Sequence, residues 1–150
     1  MDECRVLIGI PAYNEEKSLR PLLHRLDQLE ALHELNLQVL FVNDGSTDRT
    51  ADILAEAEAS RGYVSVITHD QNRGLGAAIN TILSYALEHL DDEDILVTMD
   101  GDNTHDPIHV PEMVAMLKRQ GLDLVIASRF ARGGKEVGLK AYRKVLSRGA

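Results

Sequence analysis

The chain has 150 residues, 44% of them hydrophobic, and a net charge of −8, so it can fold as one domain around a buried core. Its acidic balance argues against general binding of nucleic acid, which requires a basic face. Its one cysteine, Cys4, excludes an internal disulfide framework and favours a reducing compartment. Because the N-terminus is acidic and the apolar runs are short, we expect a cytoplasmic protein with neither a signal peptide nor a membrane span.

Five short runs along the chain favour β-strands. They are mostly apolar without strict alternation of polar and apolar residues, as expected of parallel strands that are covered on both faces. The predicted strands are Val6–Ile10, Val39–Asn43, Val64–Thr68, Ile95–Met99 and Leu124–Ala127.

Helical patterns separate these strands. The predicted helices are Ser18–His33, Asp48–Ser60, Gly74–Leu90 and Pro107–Gln120. A serine or threonine of the turn 44–47 is expected to cap the second helix, and the last helix is expected to stop before Gly121. This alternation predicts an α/β fold: an open, doubly wound, Rossmann-like and mostly parallel sheet with helices on both faces.

The C-terminal part of the chain differs in charge from the rest. Residues 128–150 hold seven of the 16 lysines and arginines and only one acidic residue, Glu136. A flexible break at 132–135 precedes an amphipathic segment, Leu139–Arg148, which either packs on the domain or lies at a membrane surface. We therefore expect a domain over residues 1–130 and a separate basic segment over residues 131–150.

Polar, turn-forming residues follow every predicted strand. They form the segments 11–16, 43–46, 69–74, 100–102 and 128–129. The carboxyl ends of parallel strands meet at one edge of an open α/β sheet, and such sheets bind ligands at that edge. The sequence therefore predicts a binding site there.

Two aspartates one residue apart, Asp100 and Asp102, follow the fourth predicted strand. Two carboxylates so placed can share a hard divalent cation, Mg²⁺ or Mn²⁺, which can neutralise a substrate diphosphate. The alternative is an acidic surface turn. Asp44, after the second strand, is then free to contact a base or ribose, or else it caps the second helix.

Other kinds of ligand site lack their patterns. Residues 11–14, after the first strand, contain no glycine, which excludes a dinucleotide fingerprint, and no Gly-Lys-Ser or Gly-Lys-Thr is present for a phosphate loop. The six histidines show no zinc spacing and are expected to be ordinary surface residues. A metal-held diphosphate remains.

Five motifs in this order resemble family 2 glycosyltransferases of the GT-A fold. They are Pro11-Ala12-Tyr13-Asn14-Glu15-Glu16, Val42-Asn43-Asp44-Gly45-Ser46-Thr47-Asp48, Asn72-Arg73-Gly74-Leu75-Gly76, Asp100-Gly101-Asp102 and Ser128-Arg129-Phe130. The segment Arg143-Lys144-Val145-Leu146-Ser147-Arg148 extends this resemblance, which covers nearly the whole chain. It is greatest to dolichyl-phosphate mannose synthases and bacterial polyprenyl-phosphate glycosyltransferases.

The resemblance implies roles for the matching residues. Asp44 hydrogen-bonds the base, Asp102 is a direct metal ligand, and Asp100 lies nearer the ribose and the metal. The implied nucleotide-binding residues are Pro11, Ala12, Tyr13, Glu15, Asp44 and Asp100. The implied catalytic residues are Asp102 and Arg129, and the residues implied to hold an acceptor phosphate are Arg129, Arg143 and Ser147.

The chain departs from the family pattern at two positions. Gly101 stands where the family usually has alanine between the aspartates, and it is expected to loosen the turn. Thr104 stands where mannose synthases often have a glutamine that serves as a further metal ligand.

The resemblance implies a metal-dependent, inverting transfer of sugar from a GDP- or UDP-sugar to a polyprenyl phosphate at the cytoplasmic face of a membrane. A lipid phosphate is already ionised at neutral pH, so this acceptor requires no strong general base. Residues 1–130 would bind the donor, and residues 131–150 would begin an acceptor-side region that is cut short. The alternatives are a saccharide acceptor, or a nucleotide-sugar-binding module that is inactive without missing C-terminal parts.

Overall fold

The computed structural model describes residues 4–32 and 36–128. Its strands are β1 (Arg5–Ala12), β2 (Asn36–Asn43), β3 (Val64–Thr68) and β4 (Ile95–Thr98). Its helices are α1 (Glu16–Leu32), α2 (Thr50–Ser60), α3 (Leu75–His89) and α4 (Val110–Gln120), with a short 3₁₀ turn at Pro107–His109. Because β1 runs to Ala12, Pro11 and Ala12 belong to the strand itself rather than to the loop that follows it.

The four strands form one parallel sheet in the order β3-β2-β1-β4. The strand order reverses between β2 and β4, on either side of β1, so the crevice beyond the end of β1 is the switch point where open α/β sheets bind ligands. Right-handed crossovers, the rule for strand–helix–strand units, place α1 and α2 on one face and α3 on the other.

The core lies on both faces of β1 and β2. On one face, Leu7 and Leu40 pack with Ala78 and Ile82 of α3, all of them buried. On the other, Phe41 is fully buried, as are several apolar residues of β1, β2 and α1, namely Ile8, Ile10, Val39, Leu19, Leu22 and Leu26. Continuous apolar strands therefore do reflect a sheet covered on both faces, and the predicted fold class is confirmed.

The fifth predicted strand is wrong. Residues 124–127 have no strand assignment, and the side chains of Leu124 and Ile126 are 71% and 75% exposed. A strand forms only where a neighbouring strand satisfies its backbone N–H and C=O groups, and within residues 4–32 and 36–128 no strand pairs with this run.

Of the two predictions about helix ends, one is confirmed and the other is wrong. The helix α4 ends at Gln120 as expected, and the Gly121 and Leu122 amides donate to the Lys118 and Leu117 carbonyls (3.4 and 3.0 Å), the pairing of a Schellman cap. The cap predicted for α2 is wrong, because Arg49 occupies the N-cap position and the first helical amide, that of Thr50, donates to Asp48 Oδ1 (2.9 Å). Ser46 and Thr47 bond instead to the loop after β1.

Two compact units divide the chain after Val114. The first contains the whole sheet with α1, α2 and α3. The described part of the second comprises the remainder of α4 and residues 121–128. No helix in the described part of the chain is long and apolar enough to cross a bilayer. The predicted segment Leu139–Arg148 lies outside the described residues, and the predicted boundary near residue 130 stays a prediction.

Candidate functional site

A cleft of about 390 Å³ opens at the carboxyl edge of the sheet, at the switch point beyond β1. Its walls come from four parts of the fold: the end of β1, the end of β2, the start of α3 and the turn after β4. The lining residues are Pro11, Ala12, Tyr13, Glu15, Asp44, Asn72, Gly74, Leu75, Ala78, Asp100, Gly101 and Asp102.

The cleft brings together every residue predicted to bind nucleotide or metal. The predicted set was Pro11, Ala12, Tyr13, Glu15, Asp44, Asp100 and Asp102, and all seven line the cleft. Arg129, Arg143 and Ser147, predicted to hold an acceptor phosphate, lie outside the described residues. The donor side of the predicted site therefore has a common location in the fold.

Hydrogen bonds between two loops hold the wall that carries Tyr13 and Glu15. The Asn14 amide donates to Ser46 Oγ (3.0 Å), and Asn14 Oδ1 accepts from the Thr47 amide (2.8 Å). The Glu15 amide donates to Thr50 Oγ1 (2.8 Å). The motifs after β1 and β2 thus fasten to each other, which explains why Thr47 does not cap α2.

The same exchange continues between the first turns of the two helices. The Glu16 amide donates to Asp48 Oδ2 (3.3 Å), and the Arg49 amide donates to Glu16 Oε2 (3.2 Å). Each helix start therefore satisfies an N–H group of the other, as a capping residue does within one helix. The partners are about 33 residues apart in sequence, so no local pattern could reveal them.

Asp44 is buried, with 3% of its surface exposed, and it does not cap α2. Its Oδ1 accepts from the Arg73 amide (3.0 Å) and contacts His69 Nδ1 (2.7 Å), while Oδ2 accepts from the Gly74 amide (2.7 Å). Burial acts to raise the pKa of Asp44, but the bonds from His69, Arg73 and Gly74 outweigh it and set that pKa below its usual value. An ionised Asp44 therefore ties the loop before α3 to the end of β2.

Gly45 allows the loop before α3 to approach so closely. A Cβ atom at this position would lie 2.3 Å from the Gln71 carbonyl carbon and 2.4 Å from the Asn72 amide nitrogen. The backbone of Gly45 also has a φ of +66°, which favours glycine. The Asp44-Gly45 pair thus joins β2 to the cleft wall formed by residues 71–74.

Gly101 is also closely packed, and the prediction that it loosens the turn between Asp100 and Asp102 stays a prediction. It is buried, and a Cβ atom there would lie 2.8 Å from the Pro11 carbonyl oxygen. The glycine lets the turn that carries Asp100 and Asp102 lie directly against the end of β1.

The two aspartates of this turn are exposed and line the same cleft. Asp102 Oδ1 accepts from the Thr104 amide (2.9 Å) and hydroxyl (2.6 Å), and no described residue donates to Oδ2. The Asp100 amide donates to His105 Nδ1 (3.2 Å), and His105 Nε2 lies 3.7 Å from Asp100 Oδ2. Both carboxylates keep oxygen atoms for a ligand.

These carboxylates fit a divalent cation that is shared with a substrate. Among the described residues, no three histidine, cysteine, aspartate or glutamate side chains are grouped to hold a metal alone. Mg²⁺ and similar cations are commonly held by one or two carboxylates together with substrate phosphates and water. Asp100 and Asp102 match that donor set.

Sequence reasoning missed the contribution of α3 to the cleft. The predicted site contained no residue of this helix, yet Leu75 and Ala78 both line the cleft, and Leu75 is 62% exposed. Gly74, the N-cap of α3, also lines the cleft, and its amide donates to Asp44 Oδ2 (2.7 Å) and Asn72 Oδ1 (3.0 Å). The positive end of the helix dipole therefore lies at the cleft, which suits an anionic group. The run Asn72 to Gly76, in the loop between β3 and α3, was the local sequence signal of this arrangement.

The parallel sheet and the acidic cleft at its switch point define an α/β domain of the GT-A type. The mannosyltransferase PcManGT of Pyrobaculum calidifontis, solved with GDP-Man and Mn²⁺, has this fold, with a TM-score of 0.55 and 23% identity over 67% of this chain and 28% of that one. The model of glycosyl transferase family 2 matches residues 7–148, and the chain belongs to this family.

Curated relatives match nearly the whole chain. It is 36% identical over 146 residues to the dolichol-phosphate mannosyltransferase of Pyrococcus furiosus, which covers 97% of this chain and 39% of that protein. It is 38% identical over 143 residues to the undecaprenyl-phosphate mannosyltransferase of Micrococcus luteus, covering 95% and 56%. The chain thus spans about two fifths to just over half of these relatives.

Proposed function

We propose that this chain is the donor-binding part of an inverting glycosyltransferase that transfers a sugar from a GDP- or UDP-sugar to a polyprenyl phosphate. The observation that carries the proposal is the cleft at the switch point, which Asp100 and Asp102 line together with the start of α3. This arrangement suits a diphosphate that is bound with a divalent cation.

The cleft has the size and the polar groups for a nucleoside diphosphate. Its volume of about 390 Å³ lies in the range of small-molecule sites. We assign the contacts with the nucleoside to Asp44 and to four residues from the end of β1 and the loop after it, Pro11, Ala12, Tyr13 and Glu15. Asp100 would lie between the ribose and the diphosphate, and the start of α3 would face the phosphates.

Asp100 and Asp102 would hold the cation, either Mg²⁺ or Mn²⁺. When bound, such an ion supplies positive charge that neutralises the diphosphate and stabilises the charge developing on the leaving group. Thr104 holds Asp102 by its hydroxyl and amide, which orients Oδ2 of that carboxylate. The Mn²⁺ in the Pyrobaculum calidifontis mannosyltransferase supports this assignment.

The acceptor assignment rests on the family and on the names of the two curated relatives, which act on dolichol phosphate and undecaprenyl phosphate. We assign the acceptor phosphate to Arg129, Arg143 and Ser147, because guanidinium groups hold phosphate oxygens in a fork. Arg129 would also stabilise the reacting phosphate. The acceptor lipid would place the reaction at the cytoplasmic face of a membrane, with peripheral contact through the basic segment.

A binding panel tests the donor assignment. GDP-, UDP- and dTDP-sugars are titrated with and without Mn²⁺ or Mg²⁺, and the shift in melting temperature is recorded, because a ligand that binds the native state stabilises it. We expect a shift with one nucleotide, and only when the cation is present. The matched variants are Asp102→Asn and Asp70→Asn, since Asp70 is an exposed carboxylate on the same edge that does not line the cleft.

Loss of a metal ligand should lower the metal-dependent donor affinity by at least the roughly 10- to 100-fold that loss of a group supporting a ligand costs, whereas the Asp70 variant should bind as the unaltered protein does. A normal affinity in the Asp102 variant would refute the metal assignment. Transfer of labelled sugar from the bound donor to a polyprenyl phosphate in vesicles tests the acceptor. Transfer to a soluble saccharide alone would replace it.

A further inference from the structure

His69 is a buried histidine that bonds through both ring nitrogens, contrary to the expectation that the histidines are ordinary surface residues. It follows β3, and 8% of its surface is exposed. Its Nδ1 lies 2.7 Å from Asp44 Oδ1, and its Nε2 lies 2.8 Å from Thr81 Oγ1 of α3. His69 therefore links the end of β2 to α3 directly behind the cleft.

The protonation of His69 follows from its partners. Thr81 Oγ1 donates its only hydrogen to the Ala77 carbonyl (3.0 Å), so toward His69 it can only accept. An ionised Asp44 also only accepts. All three contacts are satisfied together only when both Nδ1 and Nε2 carry a hydrogen. The geometry therefore assigns His69 as an imidazolium cation.

An imidazolium at this position matters because the cleft is strongly acidic. Four carboxylates line it, from Glu15, Asp44, Asp100 and Asp102. Asp44 is buried, and an unpaired buried charge is costly. Among the described residues, the only carboxylate with an oxygen within 4.0 Å of a ring nitrogen of His69 is Asp44. The positive charge of His69 thus offsets the negative charge of Asp44. Without it, a negatively charged diphosphate ligand would approach an Asp44 carboxylate whose charge is unpaired.

The hydrogen bonds of Asp44 define what His69 controls. A carboxylate has about four acceptor positions, and His69, Arg73 and Gly74 take three of them. One position remains, on Oδ2, for an N–H group of a ligand. Rotation of the carboxylate would release the Arg73 and Gly74 amides and with them the loop at the start of α3.

We propose that His69 is a positioning residue of the donor site: as an imidazolium it fixes the ionised Asp44 so that one carboxylate oxygen faces the base and the loop at residues 72–74 is held in the cleft wall. The proposal rests on the function proposed above. It adds to that function a residue that touches neither the nucleotide nor the metal.

The first test is made on the unaltered protein without nucleotide. Two-dimensional ¹H–¹⁵N NMR at neutral pH reports the protonation of each histidine ring, and the His69→Gln variant identifies the signals that belong to His69. We expect both ring nitrogens of His69 to carry hydrogen. A neutral tautomer would overturn the proposal. Since this measurement is made on the unaltered fold, poor folding of the variants does not affect it.

The second test measures the affinity for the donor that the binding panel selects, with Mn²⁺ present. The variant His69→Asn keeps an N–H group near the position of Nδ1 but removes the charge and the bond to Thr81. We expect it to lower donor affinity about tenfold and to leave binding of Mn²⁺ alone unchanged. The control is His89→Asn, at an exposed position on the last turn of α3.

A double-mutant cycle separates positioning from general destabilisation. In an Asp44→Asn background, the His69→Asn change should cost no further donor affinity, because the group it orients is already altered. Equal losses in both backgrounds would overturn the proposal, as would unchanged affinity of the single variant. If the unaltered protein binds no nucleotide with Mn²⁺, the proposed function fails instead, and this outcome is distinct from the others.

Discussion

Replacement of Gly45 by alanine should destabilise the protein and disrupt the cleft together. The new Cβ atom would lie 2.3 Å from the Gln71 carbonyl carbon, which is backbone and cannot rotate away. Alanine at a φ of +66° costs about 1–2 kcal/mol, and overpacking against backbone costs about 1–3 kcal/mol more. The free energy of unfolding should therefore fall by roughly 2–5 kcal/mol.

For a chain of this size, each kcal/mol lowers the melting temperature by about 2–4 °C, so the Gly45→Ala variant should melt roughly 4–20 °C lower. Calorimetry measures this difference. The control is Gly62→Ala, because a Cβ atom at Gly62 would meet nothing within 4 Å. Its melting temperature should stay within about 2 °C of the unaltered protein.

A second variant, Gly45→Asn, separates the two costs. Asparagine adopts a positive φ more readily than alanine, yet it carries the same Cβ atom. We therefore expect Gly45→Asn to recover at most about 1 kcal/mol relative to Gly45→Ala. Recovery of most of the stability would show that the backbone conformation, and not the close approach to Gln71, requires glycine here. Donor affinity should fall in both variants, because the 71–74 loop must move.

Two further predictions concern single side chains. Thr104→Val removes the hydroxyl that lies 2.6 Å from Asp102 Oδ1. Metal-dependent donor affinity, measured by calorimetric titration, should therefore fall about tenfold, with little change in melting temperature. An unchanged affinity would show that Asp102 needs no support from this hydroxyl. The hydrogen bond from Arg61, with that from Tyr63, sets the pKa of Asp27 below its ordinary value of 3.8 despite partial burial. The ionised carboxylate therefore stabilises the folded protein above pH 3.8, and this stability is lost as the pH falls below 3.8 and through the lowered pKa. Urea unfolding between pH 5 and pH 2 should therefore show a shallower loss of stability for Asp27→Asn than for the unaltered protein, and equal slopes would refute the assignment.

Much of the fold was predictable because its causes are local. Four apolar runs without alternation became the four parallel strands, and the helix patterns between them became α1, α2, α3 and α4. Periodicity reports which faces of an element are buried, and that is enough to assign element type and fold class. The prediction of the fifth strand was wrong because residues 124–127 have the composition of a strand but no described strand pairs with them. Pairing is not a local property.

The location of the site was also predictable, whereas its internal bonding was not. Polar residues after each strand must meet at one edge of a parallel sheet, and the seven described residues of the predicted site do line one cleft. That Asp44 would be tied to His69, and that His69 would be buried, depended on contacts across 25 residues of sequence.

The sequence by itself determined the α/β class, the sheet edge at which the cleft opens and the position of two aspartates at that edge, because each follows from hydrophobic periodicity and from the direction of parallel strands. Only the tertiary structure decided which groups share a hydrogen bond: the mutual capping of α1 and α2, the fit of Gly45 and Gly101 against neighbouring backbone, and the network of Asp44, His69 and Thr81. Hydrogen bonds and close contacts extend over about 3 Å, so they depend on how distant segments dock, and no local pattern in the chain encodes that docking.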